Sequence, residues 1–167
     1  MAGASLPYIA VVGPGVSDEL DERIAEQVGR AIARRGAILV CGGMTGVMEA
    51  ACRGAKREGG TTVGILPSSG RDDANPYVDI AIATGMGEMR NALIVRTADV
   101  LVAVGGAFGT LSEIALALKT GVPVVGLGTW KLGRPKDGPD PIVRAAGPEE
   151  AVGLALEQAR RVSRGEP

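Results

Sequence analysis

The sequence predicts an α/β protein: one Rossmann-like, doubly wound parallel sheet covered by helices on both faces. Three observations carry this. Short apolar runs rich in Val and Ile alternate with longer stretches of helical periodicity. The runs are continuously apolar, as strands buried on both faces must be. Glycine clusters stand at the ends of the runs, where strand-to-helix turns belong.

The elements follow in order. YIAVVG (8–13) is a first strand ending in Gly-Pro-Gly, and SDELDERIAEQVGRAIARRG follows as an amphipathic helix with Leu20, Ile24, Val28 and Ile32 at every fourth position. AILVCGG (37–43) and TGVMEAACRGAKREGG (45–60) repeat the pair. Gly36 and Gly59 stand where helix C-termini favour a left-handed residue. TTVGILP, YVDIAIATG, DVLVAVGG and VPVVGLG are four further strands, and GEMRNALIVRTA and TLSEIALALKTG read as helices after the second and third of them. A Gly/Pro-rich segment containing Trp130 suggests a lid or a subunit contact. A short IVRAA strand and a last helix opened by Pro148 and two acids complete the chain. Residues 1–167 fit one domain.

Composition excludes several functions. The net charge is −1 and the arginines are scattered, so no basic footprint for nucleic acid or an anionic membrane exists. No apolar run reaches membrane-spanning length and the N-terminus has no signal-peptide pattern, which predicts a cytoplasmic protein. Cys41 and Cys52 lack metal spacing and read as reduced core thiols. With no histidine, any chemistry must use carboxylates, arginine or backbone dipoles, and neither a metal nor a cofactor is expected.

In a parallel sheet, ligands bind beyond the carboxyl ends of the strands, so the loops at 13–17, 42–46, 67–73, 84–88 and 105–110 and the segment from Gly128 are the ones to read. GPGVSD has Asp18 where a dinucleotide fingerprint needs its third glycine, and no Gly-Lys-Ser/Thr occurs. Two glycine turns feeding helices remain, GGMTGVMEA and GGAFGTLSE. Together they predict a phosphate cradle from Gly13, Gly15, Gly42, Gly43, Thr45, Gly46, Gly105, Gly106, Ala107, Phe108, Gly109 and Thr110. Phe108 could stack on a base or anchor the turn. Glu49 reads as either a second acid at the cleft or a solvated helix position. Thr110 and Glu113 also have the spacing of a capping box, which would tie both to the helix end.

The stretch LVCGGMTGVMEAACRGAKREGGTTVGILP, together with MRN (89–91) and GGAFGTLSE, resembles the Lonely Guy (LOG) family, whose members have carried the label "possible lysine decarboxylase". Val104 stands where that family has a proline and Asn91 where it has a lysine. Both substitutions look like the short branch of the wider SLOG superfamily, which includes molybdenum-cofactor carriers. The resemblance implies Arg90 and Glu113 as a catalytic pair and Thr110 with its glycine turn as the holder of a nucleoside 5′-phosphate. Asn91 would border the ligand. It implies a nucleoside 5′-monophosphate phosphoribohydrolase, with a non-catalytic carrier or sensor of a phosphorylated, pterin-type ligand as the alternative, and a homodimer. A carboxylate suits glycosidic cleavage because it can stabilise an oxocarbenium-like state and activate water. A decarboxylase would need a lysine to hold pyridoxal phosphate, and Lys56, Lys119, Lys131 and Lys136 lie outside any such motif. The apolar helices GVMEAACRGA and IALALKTG suggest where a second subunit would pack.

Overall fold

The structure, a computed structural model, describes residues 6–133 and 138–164. Strand β1 (Tyr8–Val12) leads to helix α1 (Glu19–Arg34), β2 (Ile38–Cys41) to α2 (Val47–Arg57), and β3 (Thr62–Leu66) to β4 (Ile80–Ala83). A 3₁₀ turn (Gly87–Arg90) and α3 (Asn91–Thr97) return the chain to β5 (Val100–Val104). Then come α4 (Phe108–Thr120), β6 (Val124–Leu127), β7 (Val143–Arg144) and α5 (Pro148–Ser163). The predicted elements are all found, and Gly36 and Gly59 have φ of 70° and 71°.

The sheet order is β4-β3-β2-β1-β5-β6-β7, with every pairing parallel. The chain winds outward from β1 to β4 and then crosses back to β5 on the other side of β1. Right-handed crossovers therefore set α1 and α2 on one face and α3 and α4 on the other. Alternate strand residues divide accordingly. Ile9, Val11, Leu39, Val100 and Val102 pack with α1, α2 and α5, while Ala10, Val12, Val40, Leu101 and Ala103 pack with Ile94, Val95 and Ile114 of α3 and α4. The order reverses between β1 and β5, so the turns after these two strands flank the crevice where this architecture binds ligands.

Helices α1 and α2 touch backbone to backbone. A Cβ on Gly29 would lie 1.9 Å from Ala51 O, and one on Gly54 would lie 1.9 Å from Glu26 O. No other residue permits that approach, which brings the turns before the two helices together.

Two expectations need adjustment. Leu20, in the first turn of α1, is exposed and does not join the buried stripe of Val28 and Ile32. Val47, Ala50, Ala51, Cys52 and Ala55 of α2 are buried within the chain and Met48 is half-buried; the exposed large apolar residues include Ile80 and Ile82 on edge strand β4, with Met89 and Leu93 nearby in sequence on the 3₁₀ turn and α3. Among the described residues, no helix is long and apolar enough to cross a membrane.

Candidate functional site

A cleft of ≈ 540 Å³ opens over the carboxyl ends of β1, β2 and β5. Of the residues singled out in the sequence, it brings together Gly13, Gly15, Arg90, Asn91, Ala107, Phe108, Gly109, Thr110 and Glu113. Gly42, Gly43, Thr45, Gly46, Gly105 and Gly106 do not line it. Pro14, Met44, Met48, Pro67, Glu88 and Ser112 do; the first, second, fourth and fifth lie in loops that the sequence marked for reading, but none of the six was singled out. Met48 and Ser112 lie inside α2 and α4, where nothing local in the sequence marks them. The thioethers of Met44 and Met48 give the cleft a soft apolar wall.

Helix α4 forms the chemical core. It begins at Phe108, with Ala107 as N-cap and no side-chain hydrogen bond closing the end. Its first N–H groups have no partner within the helix, and its dipole makes this end electropositive. Thr110 is therefore the third helical residue and not a cap, and the capping box does not form. Thr110 and Glu113 stand three apart on one face and are buried there, 2% and 7% exposed. Among the described residues, the Thr110 hydroxyl has no hydrogen-bond partner.

Arg90 comes from the end of the 3₁₀ turn and is 8% exposed. Its Nη1 donates to Asn91 Oδ1 at 3.0 Å, and the Asn91 amide reaches Ser112 Oγ at 3.4 Å on α4. A lysine at 91 could not accept from Arg90, so Asn91 gives the guanidinium an anchor that the LOG pattern lacks. The guanidinium lies against Gly42: a Cβ there would meet Arg90 Nη1 at 2.6 Å and Met48 Sδ at 2.7 Å. Gly42 thus works from behind, as the floor that lets Arg90 lie down. Arg90 Nε has no partner. Two buried donors, Thr110 Oγ1 and Arg90 Nε, line one cleft unsatisfied, which an anion would remedy.

Burial dominates the electrostatics. Desolvation pushes the Glu113 carboxyl up to about 7, against the opposing pull of Arg90. Burial also lowers Arg90, with Glu113 opposing it. No ion pair joins Arg90 and Glu113 among the described residues, so the two flank the cleft without closing on each other.

At the rim, Phe108 is 82% exposed. Its ring lies 5.8 Å from that of Trp130, tilted by 34°, and the Trp130 indole N–H donates to Ala107 O at 3.2 Å. Trp130 thus braces the entrance to α4. Behind the turn, Asp21 of α1 abuts Gly105, whose φ is +62° and whose added Cβ would sit 2.2 Å from Asp21 Oδ2.

The other glycine turn is closed by protein. The Val47 N–H at the start of α2 donates to Pro14 O at 3.1 Å, Thr45 Oγ1 donates to Gly15 O at 2.8 Å, and Asn75 Nδ2 donates to Met44 O at 2.8 Å. Gly46 (φ +65°) would place a Cβ 2.4 Å from Pro14 O. Thr45, Gly46 and Glu49 line a separate cavity of ≈ 360 Å³ together with Glu22 and Arg53, so two carboxylates there face one guanidinium. Lys56 is paired with Asp79, Lys119 and Lys131 do not line the cleft, and Lys136 lies outside the described residues.

The family model described as the SLOG cluster4 family matches residues 6–152. An uncharacterized protein of Archaeoglobus fulgidus is 51% identical over 122 residues, 73% of this chain and 80% of the relative. Two solved structures are similar along nearly their whole length. The molybdenum cofactor binding protein from the phototrophic bacterium Rippkaea orientalis is 37% identical with a TM-score of 0.83, covering 93% of this chain and 98% of that one. The Moco carrier protein from Chlamydomonas reinhardtii is 39% identical with a TM-score of 0.81, covering 94% and 99%.

Proposed function

This chain belongs to the SLOG cluster4 family, and from that premise we propose that it is a carrier that binds the phosphate of a small pterin-type molecule such as molybdenum cofactor, without turning it over. One observation carries the reading: among the described residues Arg90 Nε and Thr110 Oγ1 are buried without a partner, and both residues line one cleft together with the uncapped start of α4. Such an arrangement is preorganised for an oxyanion and costs little reorganisation when one arrives. The full-length similarity to a molybdenum cofactor binding protein and to a Moco carrier protein supports the choice of ligand.

Each residue then has a task. The N–H groups of Phe108, Gly109 and Thr110 and the Thr110 hydroxyl take the phosphate oxygens. Arg90, held by Asn91, adds a charged donor. An arriving phosphate dianion pushes the Glu113 carboxyl up further, which favours the neutral form that donates a hydrogen bond instead of repelling the ligand. The Phe108 ring and the two methionines cover the ligand's ring system.

A second reading is a phosphoribohydrolase, favoured by Arg90 and Glu113 flanking one cleft and by a carboxyl titrating near neutrality, where a general acid or base works best. One experiment separates the two. Molybdenum cofactor, handled anaerobically, and a panel of nucleoside 5′-monophosphates are titrated by calorimetry, with release of ribose 5-phosphate followed in parallel. The carrier reading expects binding of the pterin ligand and no release from any nucleotide. Release that disappears in Glu113→Gln would establish the hydrolase instead, and binding of neither ligand class would overturn both.

A further inference from the structure

Directly beneath the cleft lie two thiols that the proposed ligand site does not use. Cys41 ends β2 and Cys52 sits on α2; both are fully buried, and their sulfurs are 3.5 Å apart. Cys41 is wired to the 42–46 turn, and Cys52 reaches it through Cys41. The Gly43 N–H donates to Cys41 Sγ at 3.3 Å. Asn75 holds that turn as well: its amide donates to Met44 O and its backbone N–H donates to Gly43 O, both at 2.8 Å. Gly42, the residue after Cys41, is the floor under the Arg90 guanidinium.

We propose that Cys41 and Cys52 form a redox-active dithiol, which a small peroxide converts to a disulfide that unseats the 42–46 turn and with it Arg90. The two sulfurs differ in role. Hydrogen bonds from Cys52 and from the Gly43 N–H, with the charge of Arg90 nearby, hold Cys41 below the usual thiol range. The Cys41 sulfur and burial push Cys52 up. Cys41 is therefore the nucleophile and Cys52 keeps its proton. The Cys41 sulfur attacks one peroxide oxygen and the O–O bond breaks. The sulfur becomes a sulfenic acid, and the departing hydroxide takes the Cys41 proton to form water. The Cys52 sulfur then attacks the Cys41 sulfur, the S–O bond breaks, and that hydroxide leaves with the Cys52 proton as a second water. The thiol pair loses two electrons and the peroxide gains them.

To bond, the sulfurs must close by about 1.5 Å. Cys41 then leaves the Gly43 N–H and draws Gly42 from under Arg90. Full burial admits a small oxidant at the rate of local opening and excludes bulky ones.

The test needs no ligand. Folded protein is treated with hydrogen peroxide, denatured, alkylated and mapped by peptide mass spectrometry, and hydrogen exchange is followed at residues 42–46. The proposal expects an intramolecular Cys41–Cys52 disulfide, marked by the loss of two hydrogen atoms, and exchange at Gly43–Gly46 about tenfold faster than in reduced protein. Cys52→Ala, which keeps the nucleophile, should stop at an oxygen adduct on Cys41 and leave exchange unchanged. Thiols that stay alkylatable while the methionines oxidise, a disulfide between chains, or an internal disulfide with unaltered exchange would each overturn it.

Discussion

At the start of α2 the chain satisfies itself. Pro14 O takes the Val47 N–H, Gly15 O takes the Thr45 hydroxyl, Asn75 holds the Met44 carbonyl, and two glutamates line the cavity outside. At the start of α4 it does not. Ala107 offers no cap, Gly109 has open space beside it, and Thr110 Oγ1 and Arg90 Nε are left without partners. Both turns read Gly-Gly-x-x-Gly in the sequence and both follow a buried strand. The comparison shows that a glycine turn before a helix is a place where an anion can be held, and that neighbours supplied by distant segments decide whether protein or ligand fills it.

The comparison can be broken by mutation, and the largest effect falls on the closed turn. Gly46→Ala forces a side chain into positive φ and against Pro14 O, and should cost about 3 kcal/mol of stability in urea denaturation. A loss under 1 kcal/mol would mean that this turn is as open as its counterpart.

At the open turn the sign reverses, because the groups there are poorly satisfied without ligand. The folded-state pKa of Glu113 lies near 7, above its ordinary value of 4.5. Its contribution to stability is thus complete below pH 4.5, declines between 4.5 and 7, and is absent above that window. Glu113→Gln should match wild type at pH 5 and be more stable by about 2 kcal/mol at pH 8.5, a difference that thermal or urea unfolding at the two pH values measures. Affinity for phosphate in wild type should fall as pH rises above 7, and in the variant it should stay level.

Thr110→Val removes a buried hydroxyl that has no partner. It should stabilise the free protein by about 1 kcal/mol while weakening phosphate binding about tenfold, as denaturation and calorimetry would read. The smallest effect sharpens the contrast most. Gly109→Ala meets nothing within 4 Å and sits in the first turn of a helix, so it should stabilise by about 0.5 kcal/mol. Its methyl group points into the space a phosphate needs, and affinity should drop. One glycine substitution therefore destabilises and the other stabilises.

Most of the fold was legible because β1, β2, β3, β5 and β6 are continuous apolar runs and the helices between them keep a four-residue apolar spacing. The reversal of strand order between β1 and β5 is a property of the crossover and left no local mark. Arg90, Glu113, Thr110 and Phe108 were all named from sequence, and the structure gathers them in one cleft. The start of α4 was read as a capping box because Thr110 and Glu113 have its spacing, whereas the helix begins two residues earlier and turns both side chains inward. Gly42, Gly43, Thr45 and Gly46 were grouped with the cradle because their neighbours Pro14, Gly15 and Asn75 come from other loops. Met44, Met48 and Ser112 carry no signature at all, being ordinary residues placed by the meeting of β1, β2 and α4.

The central claim is that the turn before α4, and not the turn before α2, receives the anion. The most direct measurement is titration of isotope-labelled protein with inorganic phosphate, following each backbone amide by NMR. The account predicts saturable shifts at Gly106–Thr110 and at the Arg90 side chain, with Gly43–Val47 nearly still. Shifts centred on Gly43–Val47 with Gly106–Thr110 unmoved would contradict it.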